Sequence, residues 1–298
     1  MTDETRPARP SAASFQPSAM SHQPSALNPQ PSVFSTQCSA LSTGHSSLGR
    51  LFVVGLGPGD PALLTGQARS ALETAEVLVG YAAYLDQVRA WLPEREYRPS
   101  PLGAETERAA EALALAAAGR RVALVSSGDA GVYGMASVAL EALERWRGTP
   151  PPVEIVPGVT ALLAAAAVLG APLGTDFAAI SLSDLLVPWE TIARRLEAAA
   201  AADFVLALYN PASSARRWQL PAACAILRQH RSPETPVGIV REAYRPGQQV
   251  AIVSLASLAD QPIDMLTIVV VGSSATRRLG DHLLTPRGYR AAAAPEGT

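Results

Sequence analysis

Four short segments of this 298-residue chain hold the residue types that a ligand loop needs. Gly55-Leu56-Gly57-Pro58-Gly59-Asp60 follows an apolar run and precedes a helical one. Glycines in that setting let the backbone approach a ligand and aim helix-start N–H groups at it. Pro58, however, removes one donor, and the G-x-G-x-G spacing is not the dinucleotide fingerprint. Gly80 and Tyr81 stand where that fingerprint wants an acidic residue, and Asp86 comes late. Alone, the segment reads equally as a ligand loop or as a tight structural turn. Ser126-Ser127-Gly128-Asp129-Ala130-Gly131, Pro157-Gly158-Val159-Thr160-Ala161 and Tyr209-Asn210-Pro211 also close apolar runs. Asp129 and Thr160 could each merely cap a following helix. Open α/β sheets bind ligands at the carboxyl ends of their strands, so several such loops point to one cleft.

Missing residue types exclude other chemistry. All 24 basic residues are Arg and none is Lys. That removes Schiff-base catalysis, a pyridoxal phosphate anchor and a P-loop lysine. Cys38, His22 and His45 lie in a polar N-terminal stretch, leaving only Cys224, His230 and His282 beyond it. A Cys/His zinc site is therefore not expected, and no metal ligand set is assigned. A single cysteine in the core fits a reducing cytoplasm. Net charge of −2 with pI near 6.1 argues against nucleic acid as a partner. The longest apolar stretch, Ala161 to Gly174, is broken by Gly170 and Pro172 and is too short to cross a membrane.

The loops must be positioned by β-turn-α units. LFVVG from Leu51 is a strand, and Pro61 to Leu85 has helical spacing of Leu63, Leu64, Ala68, Ala71, Leu72, Ala75 and Val79. Helices are predicted at Glu105–Ala118, Ala161–Leu169, Trp189–Ala202 and Trp218–Gln229. Strands are predicted at RVALVS, Val153–Val156, Phe177–Leu182, DFVLALY, 236–244, 248–255 and 264–272. The alternation predicts an α/β fold of two α/β domains, the first mainly parallel and the second mixed. Residues 1–48 repeat QPSAM, QPSAL, QPSVF and QCSAL. They have too little apolar mass to offset ordering entropy and are expected to be a disordered extension. The expected division is 49–170 and 171–280, with a loose tail over 281–298.

GLGPGD, SSGDAGVYGM, VPGVTA, DFVLALYNP and DMLTIVVVG, in this order and spacing, resemble the tetrapyrrole methylase family. SLSDLLVPWE, YNPASSARRWQL and VGIVREAYRPGQ are similar to the branch of it that methylates C17 of precorrin-3B. The resemblance runs from about Leu51 to Arg278. It implies a cytoplasmic homodimer with the active-site cleft between two α/β domains. It also implies S-adenosylmethionine as methyl donor, a small-molecule tetrapyrrole as substrate, and ring contraction to precorrin-4 in cobalamin biosynthesis. The same step on the cobalt-containing intermediate, or methylation elsewhere on the ring, is the alternative. A non-catalytic nucleotide-binding module is the competing class, and an NAD-dependent oxidoreductase a third.

Carried over by motif, the resemblance puts Pro58, Ser127, Gly128, Asp129, Val132, Thr160, Ala161, Asn210 and Ala243 around the donor. Many family members have Met at the position of Asn210, and Thr175 stands where His is expected. Ring contraction needs proton movement, for which Asp60 and Asp184 are the candidates. The polycarboxylate substrate suits the guanidinium fork of Arg216, Arg217, Arg241, Arg245 and Arg277.

Overall fold

The structure, a computed structural model, describes residues 49–289. The expected N-terminal extension and the last nine residues lie outside the described residues. The first half runs β1 (Arg50–Gly55), α1 (Gly66–Thr74), β2 (Val77–Tyr81), α2 (Ala82–Arg89), β3 (Glu96–Ser100), α3 (Glu105–Ala117), β4 (Arg121–Ser126), α4 (Met135–Glu144) and β5 (Val153–Val156). Its five strands are all parallel, in the order β3-β2-β4-β1-β5. Parallel strands are covered on both faces and so read as unbroken apolar runs. In β1, Leu51 and Val53 pack under α3 and α4, while Phe52 and Val54 pack under α1 and α2.

The second half comprises α5 (Ala161–Leu169), β6 (Gly170–Ala171), β7 (Phe177–Ser181), α6 (Trp189–Ala201), β8 (Val205–Tyr209), α7 (Gln219–Leu227), β9 (Pro236–Arg241), β10 (Gln249–Ser254), β11 (Thr267–Val271), β12 (Arg277–Leu279) and β13 (His282–Leu284). Its main sheet has the order β10-β9-β11-β8-β7. β7 and β8 are parallel; the other three pairings are antiparallel. Both α/β halves expected from the sequence are therefore present, the second mixed.

Three local expectations differ. The helix over Pro61–Leu85 is instead a short turn, α1, the strand β2 and the start of α2. Val77, Leu78 and Val79 are fully buried in mid-sheet, and a continuous apolar run of that kind satisfies helical spacing as well. Second, α5 leaves the first sheet: Leu162, Ala165 and Leu169 pack against Val205, Val240 and Val270. The chain thus passes to the second half after β5, before position 170. Third, the tail expected to be loose from 281 begins with β13, which pairs with β12 and β6. Leu283 is fully buried there, a single anchor too short to show a period.

Candidate functional site

β1, β4 and β5 end side by side, and their loops touch through glycines. A Cβ on Gly158 would lie 2.2 Å from the Gly128 carbonyl, and one on Gly55 would lie 2.7 Å from it. Gly57 and Gly128 exchange two backbone hydrogen bonds, at 2.9 and 2.7 Å. Gly128 itself has φ +67°, a conformation that suits glycine. Asp129 locks this arrangement. One carboxylate oxygen accepts from Gly131 N (2.8 Å) and the other from Gly158 N (2.9 Å), so it braces two loops and caps no helix.

A cleft opens above these loops, walled on the far side by the ends of β8, β9 and β11. Pro58, Ser127, Gly128, Ala161, Asn210, Ala243 and Arg245, all expected from the sequence, line it. So do Tyr84, Tyr209, Glu242, Met265 and Ile268, which the motifs did not nominate. Ala161, Val240, Ala243, Met265, Leu266 and Ile268 give it apolar walls, with Ser127, Asn210 and Thr267 as polar points.

Tyr209 joins the two halves under this cleft. Its hydroxyl lies 2.6 Å from Thr160 Oγ1 and accepts from Leu162 N at 3.0 Å. Thr160 stands at the helix start without capping α5 through its own side chain. The cap comes instead from Tyr209 at the end of β8. The Tyr133 ring lies 5.0 Å from that of Tyr209, and its hydroxyl donates to Ala179 O and accepts from Ser181 N, each at 3.1 Å. Burial pushes the Tyr209 hydroxyl up, outweighing its hydrogen bonds from Thr160 and Leu162, so it stays protonated at neutral pH. A tyrosine ending a buried strand was the available signal, since its polar tip needs a partner there.

Other expected residues lie elsewhere. Asp60 accepts from Ala62 N (2.8 Å), capping the short turn at Pro61, and faces a separate groove beside Trp91. Asp184 takes the Gln219 amide on both carboxylate oxygens, at 3.0 and 3.1 Å, away from the cleft lining. Val132 is part-exposed next to Tyr133 and does not line the cleft. Thr175 is exposed in the bend before β7.

The arginines divide by partner. Arg216 is 7% exposed, and its guanidinium donates to Asn210 O (3.2 Å), Leu182 O (3.4 Å) and Met265 Sδ (3.3 Å). It holds the Asn210 loop and is not presented to a substrate. Arg241 is engaged by Asp264 (2.9 Å) and Glu242 (2.8 Å). Arg217 borders an open groove with Ser213, Ser214 and Gln261, and Arg277 is exposed on β12. Arg245 crosses to the first half, donating Nε to Pro58 O (2.6 Å) and Nη2 to Ser127 Oγ (3.1 Å).

A family model for tetrapyrrole (corrin/porphyrin) methylases matches residues 50–259 of this chain. The chain belongs to that family. Membership makes this tetrapyrrole methylase a methyltransferase, as its loop motifs imply. The precorrin-3B C(17)-methyltransferase of Sinorhizobium sp is 45% identical over 251 residues, covering 82% of this chain and 98% of that protein. The probable cobalt-factor III C(17)-methyltransferase of Salmonella typhimurium is 43% identical over 239 residues, covering 80% and 99%. The cobalt-factor III methyltransferase of Priestia megaterium is 44% identical over 245 residues, 81% of this chain, and this chain spans only 45% of that longer protein. Among solved structures, the methyltransferase CobJ aligns with a TM-score of 0.74 at 43% identity, covering 80% of this chain and all of that one. A uroporphyrin-III C-methyl transferase from Thermus thermophilus, solved with S-adenyl homocysteine, gives 0.58 at 28% identity over 75% of this chain and 92% of that one. Among the described residues no helix is long and apolar enough to cross a membrane.

Proposed function

We propose that this chain transfers a methyl group from S-adenosylmethionine to C17 of precorrin-3B, with contraction of the macrocycle to precorrin-4, in cobalamin biosynthesis. One observation carries the reading. The strand-end loops of both sheets converge on a single cleft, and they do so in a chain that aligns with almost the full length of a precorrin-3B C(17)-methyltransferase.

When bound, the donor supplies an electrophilic methyl group that brings its own leaving group. The protein's share is then positioning in a closed, water-poor site. Pro58, Ser127, Gly128, Ala161, Asn210 and Ala243 would hold the donor. Asp129 and Thr160 support that shell from behind, through the brace on Gly158 and the bond to Tyr209. No lysine is required anywhere in this scheme. The macrocycle is proposed to reach from the donor cleft over the groove beside Trp91, where Asp60 would move the proton during ring contraction. One of its oxygens caps Ala62 and the other has no partner among the described residues. Asp184 is the second candidate, with both oxygens held by Gln219. Arg217 and Arg277, exposed and without a carboxylate partner among the described residues, are proposed to meet the acid side chains of the macrocycle.

The cobalt-containing counterpart is a second reading, favoured by the two relatives of similar identity named for cobalt-factor III. Steady-state turnover of labelled S-adenosylmethionine with each macrocycle in turn tests both. A kcat/KM at least tenfold higher for the cobalt-free ring supports the main reading, and the reverse preference replaces it with the second. The protein is further proposed to act as a cytoplasmic homodimer. Supporting this are Leu163, exposed on the apolar α5, and Cys224, which among the described residues is a free and buried thiol.

A further inference from the structure

One corner of the cleft gathers hydrogen-bond donors without an acceptor to meet them. Tyr84, Ser127 and Arg245 line it together. Arg245 uses Nε and Nη2 on Pro58 and Ser127, and its Nη1 has no partner among the described residues. The Tyr84 hydroxyl makes no hydrogen bond among them either. Ser127 Oγ accepts from Arg245 and still has its own proton to give. The acidic residue on this wall, Glu242, is paired through its Oε1 with Arg241 at 2.8 Å and makes no hydrogen bond or ion pair with Tyr84, Ser127 or the Arg245 guanidinium among the described residues.

A second guanidinium also backs this corner. Behind the corner, Arg108 is only 4% exposed and donates to Ser100 Oγ (2.6 Å), Pro101 O (2.7 Å) and Met135 Sδ (3.6 Å), all neutral. A buried guanidinium without a counter-charge is costly, and an anion nearby offsets that cost. Burial raises the Tyr84 hydroxyl, with Tyr81 and Glu105 adding to the rise and Arg245 and Arg108 pulling it down, so it remains a donor at neutral pH. The position of Arg245 is built into the fold. A Cβ on Gly59 would lie 2.6 Å from its Nε, so the side chain crosses where only glycine leaves room.

We infer that this corner is a carboxylate subsite, in which the Tyr84 and Ser127 hydroxyls and the Arg245 guanidinium receive one ligand carboxylate. Arg108 supplies a second positive charge behind it. The inference rests on the methyltransferase reading, in which both reactants carry carboxylates. The group is either the amino-acid end of the donor or an acid side chain of the macrocycle.

Calorimetric titration of the full chain separates the two. The probes are S-adenosylhomocysteine, its analogue lacking the carboxylate, a corrinoid polycarboxylate and the same corrinoid as its full methyl ester. Tyr84→Phe leaves the contacts of Arg245 with Pro58 and Ser127 in place, so it tests the corner without opening the cleft; Arg245→Gln tests the charge. Each variant is expected to weaken one of the two carboxylate ligands, by roughly tenfold for Arg245→Gln up to a hundredfold. Binding of that ligand's neutral counterpart should change by less than about threefold. Loss within the adenosyl pair assigns the carboxylate to the donor, and loss within the corrinoid pair assigns it to the substrate. Unchanged binding of both carboxylate ligands, or equal loss of charged and neutral forms, overturns the subsite. If the wild-type chain binds none of the four probes, the methyltransferase reading itself falls, and the subsite with it.

Discussion

The Tyr209 hydroxyl lies 2.6 Å from the Thr160 hydroxyl, so the end of β8 in the second sheet is fastened to the loop that leaves the first. Because the same oxygen accepts from Leu162 N, it also caps the helix that begins there. Two halves that share a cleft are thereby held in register beneath it.

Tyr209→Phe removes both contacts and leaves the Leu162 N–H without an acceptor. The loss of one buried hydrogen-bonded pair predicts about 1–3 kcal/mol lower stability. Urea denaturation checks the stability. Calorimetry with S-adenosylhomocysteine should show weaker binding, because Ala161 and Asn210 flank the lost contacts. A variant as stable and as tightly binding as wild type would contradict the role given to this tyrosine.

The glycine contacts at the cleft floor predict a contrast between two substitutions of the same kind. Gly158→Ala drives a methyl group to 2.2 Å from a backbone carbonyl, whereas a Cβ on Gly66, at the start of α1, meets nothing within 4 Å. Gly158→Ala should lower stability by about 1–3 kcal/mol or more as the loops shift. Gly66→Ala should be neutral or stabilising by up to about 1 kcal/mol, as glycine in a helix loses the most backbone entropy. Thermal melts of the two variants compare them directly.

Acid stability should depend on Asp203. Burial pushes its carboxyl up, but the Ser274 hydroxyl and backbone N–H and the Arg231 charge outweigh that and hold it below the ordinary value of 3.8. A depressed carboxyl contributes stability that is complete above the unfolded value and lost as the pH falls through the lower folded one. Asp203→Asn should therefore melt below wild type at neutral pH, with the gap closing as the pH falls below about 4. The backbone there is left-handed, φ +61°, which Asn tolerates well, so the change tests the charge. A gap that stays constant down to acid pH would show that Asp203 contributes nothing through its ionised form.

Asp60→Asn keeps an oxygen able to cap Ala62 while removing the acid–base group. If Asp60 moves a proton during ring contraction, turnover should fall by roughly 10²–10⁴-fold with S-adenosylhomocysteine affinity intact. Single-turnover kinetics and calorimetry on the same preparation read the two quantities. Turnover within a few-fold of wild type would leave Asp60 as a cap and move attention to Asp184.

Much of the cleft floor is legible in the sequence. Glycine loops closing apolar runs report on local backbone demands, so the loops of Pro58 and Gly128 point to one cleft from their own neighbours in sequence, whereas Asn210 is placed there by the family resemblance. Partner choice across the fold is different. Nothing near Arg216 indicates that its donors turn inward to Asn210 O and Leu182 O, or that Arg245 reaches 187 residues back to Pro58. The same limit hid Tyr84, which stands in no motif and comes to the cleft only because α2 begins where β2 ends. The transfer of α5 to the second sheet was equally invisible, since an all-apolar helix fits either core.

The central claim is tested most directly by locating the transferred carbon. The purified chain is incubated with precorrin-3B and S-adenosylmethionine carrying a ¹³C methyl group, and the product is examined by NMR and mass spectrometry. The account predicts one labelled methyl at C17 of a ring-contracted macrocycle. Label at another ring position, or no transfer to either precorrin-3B or its cobalt counterpart under conditions where S-adenosylhomocysteine binds, would contradict it.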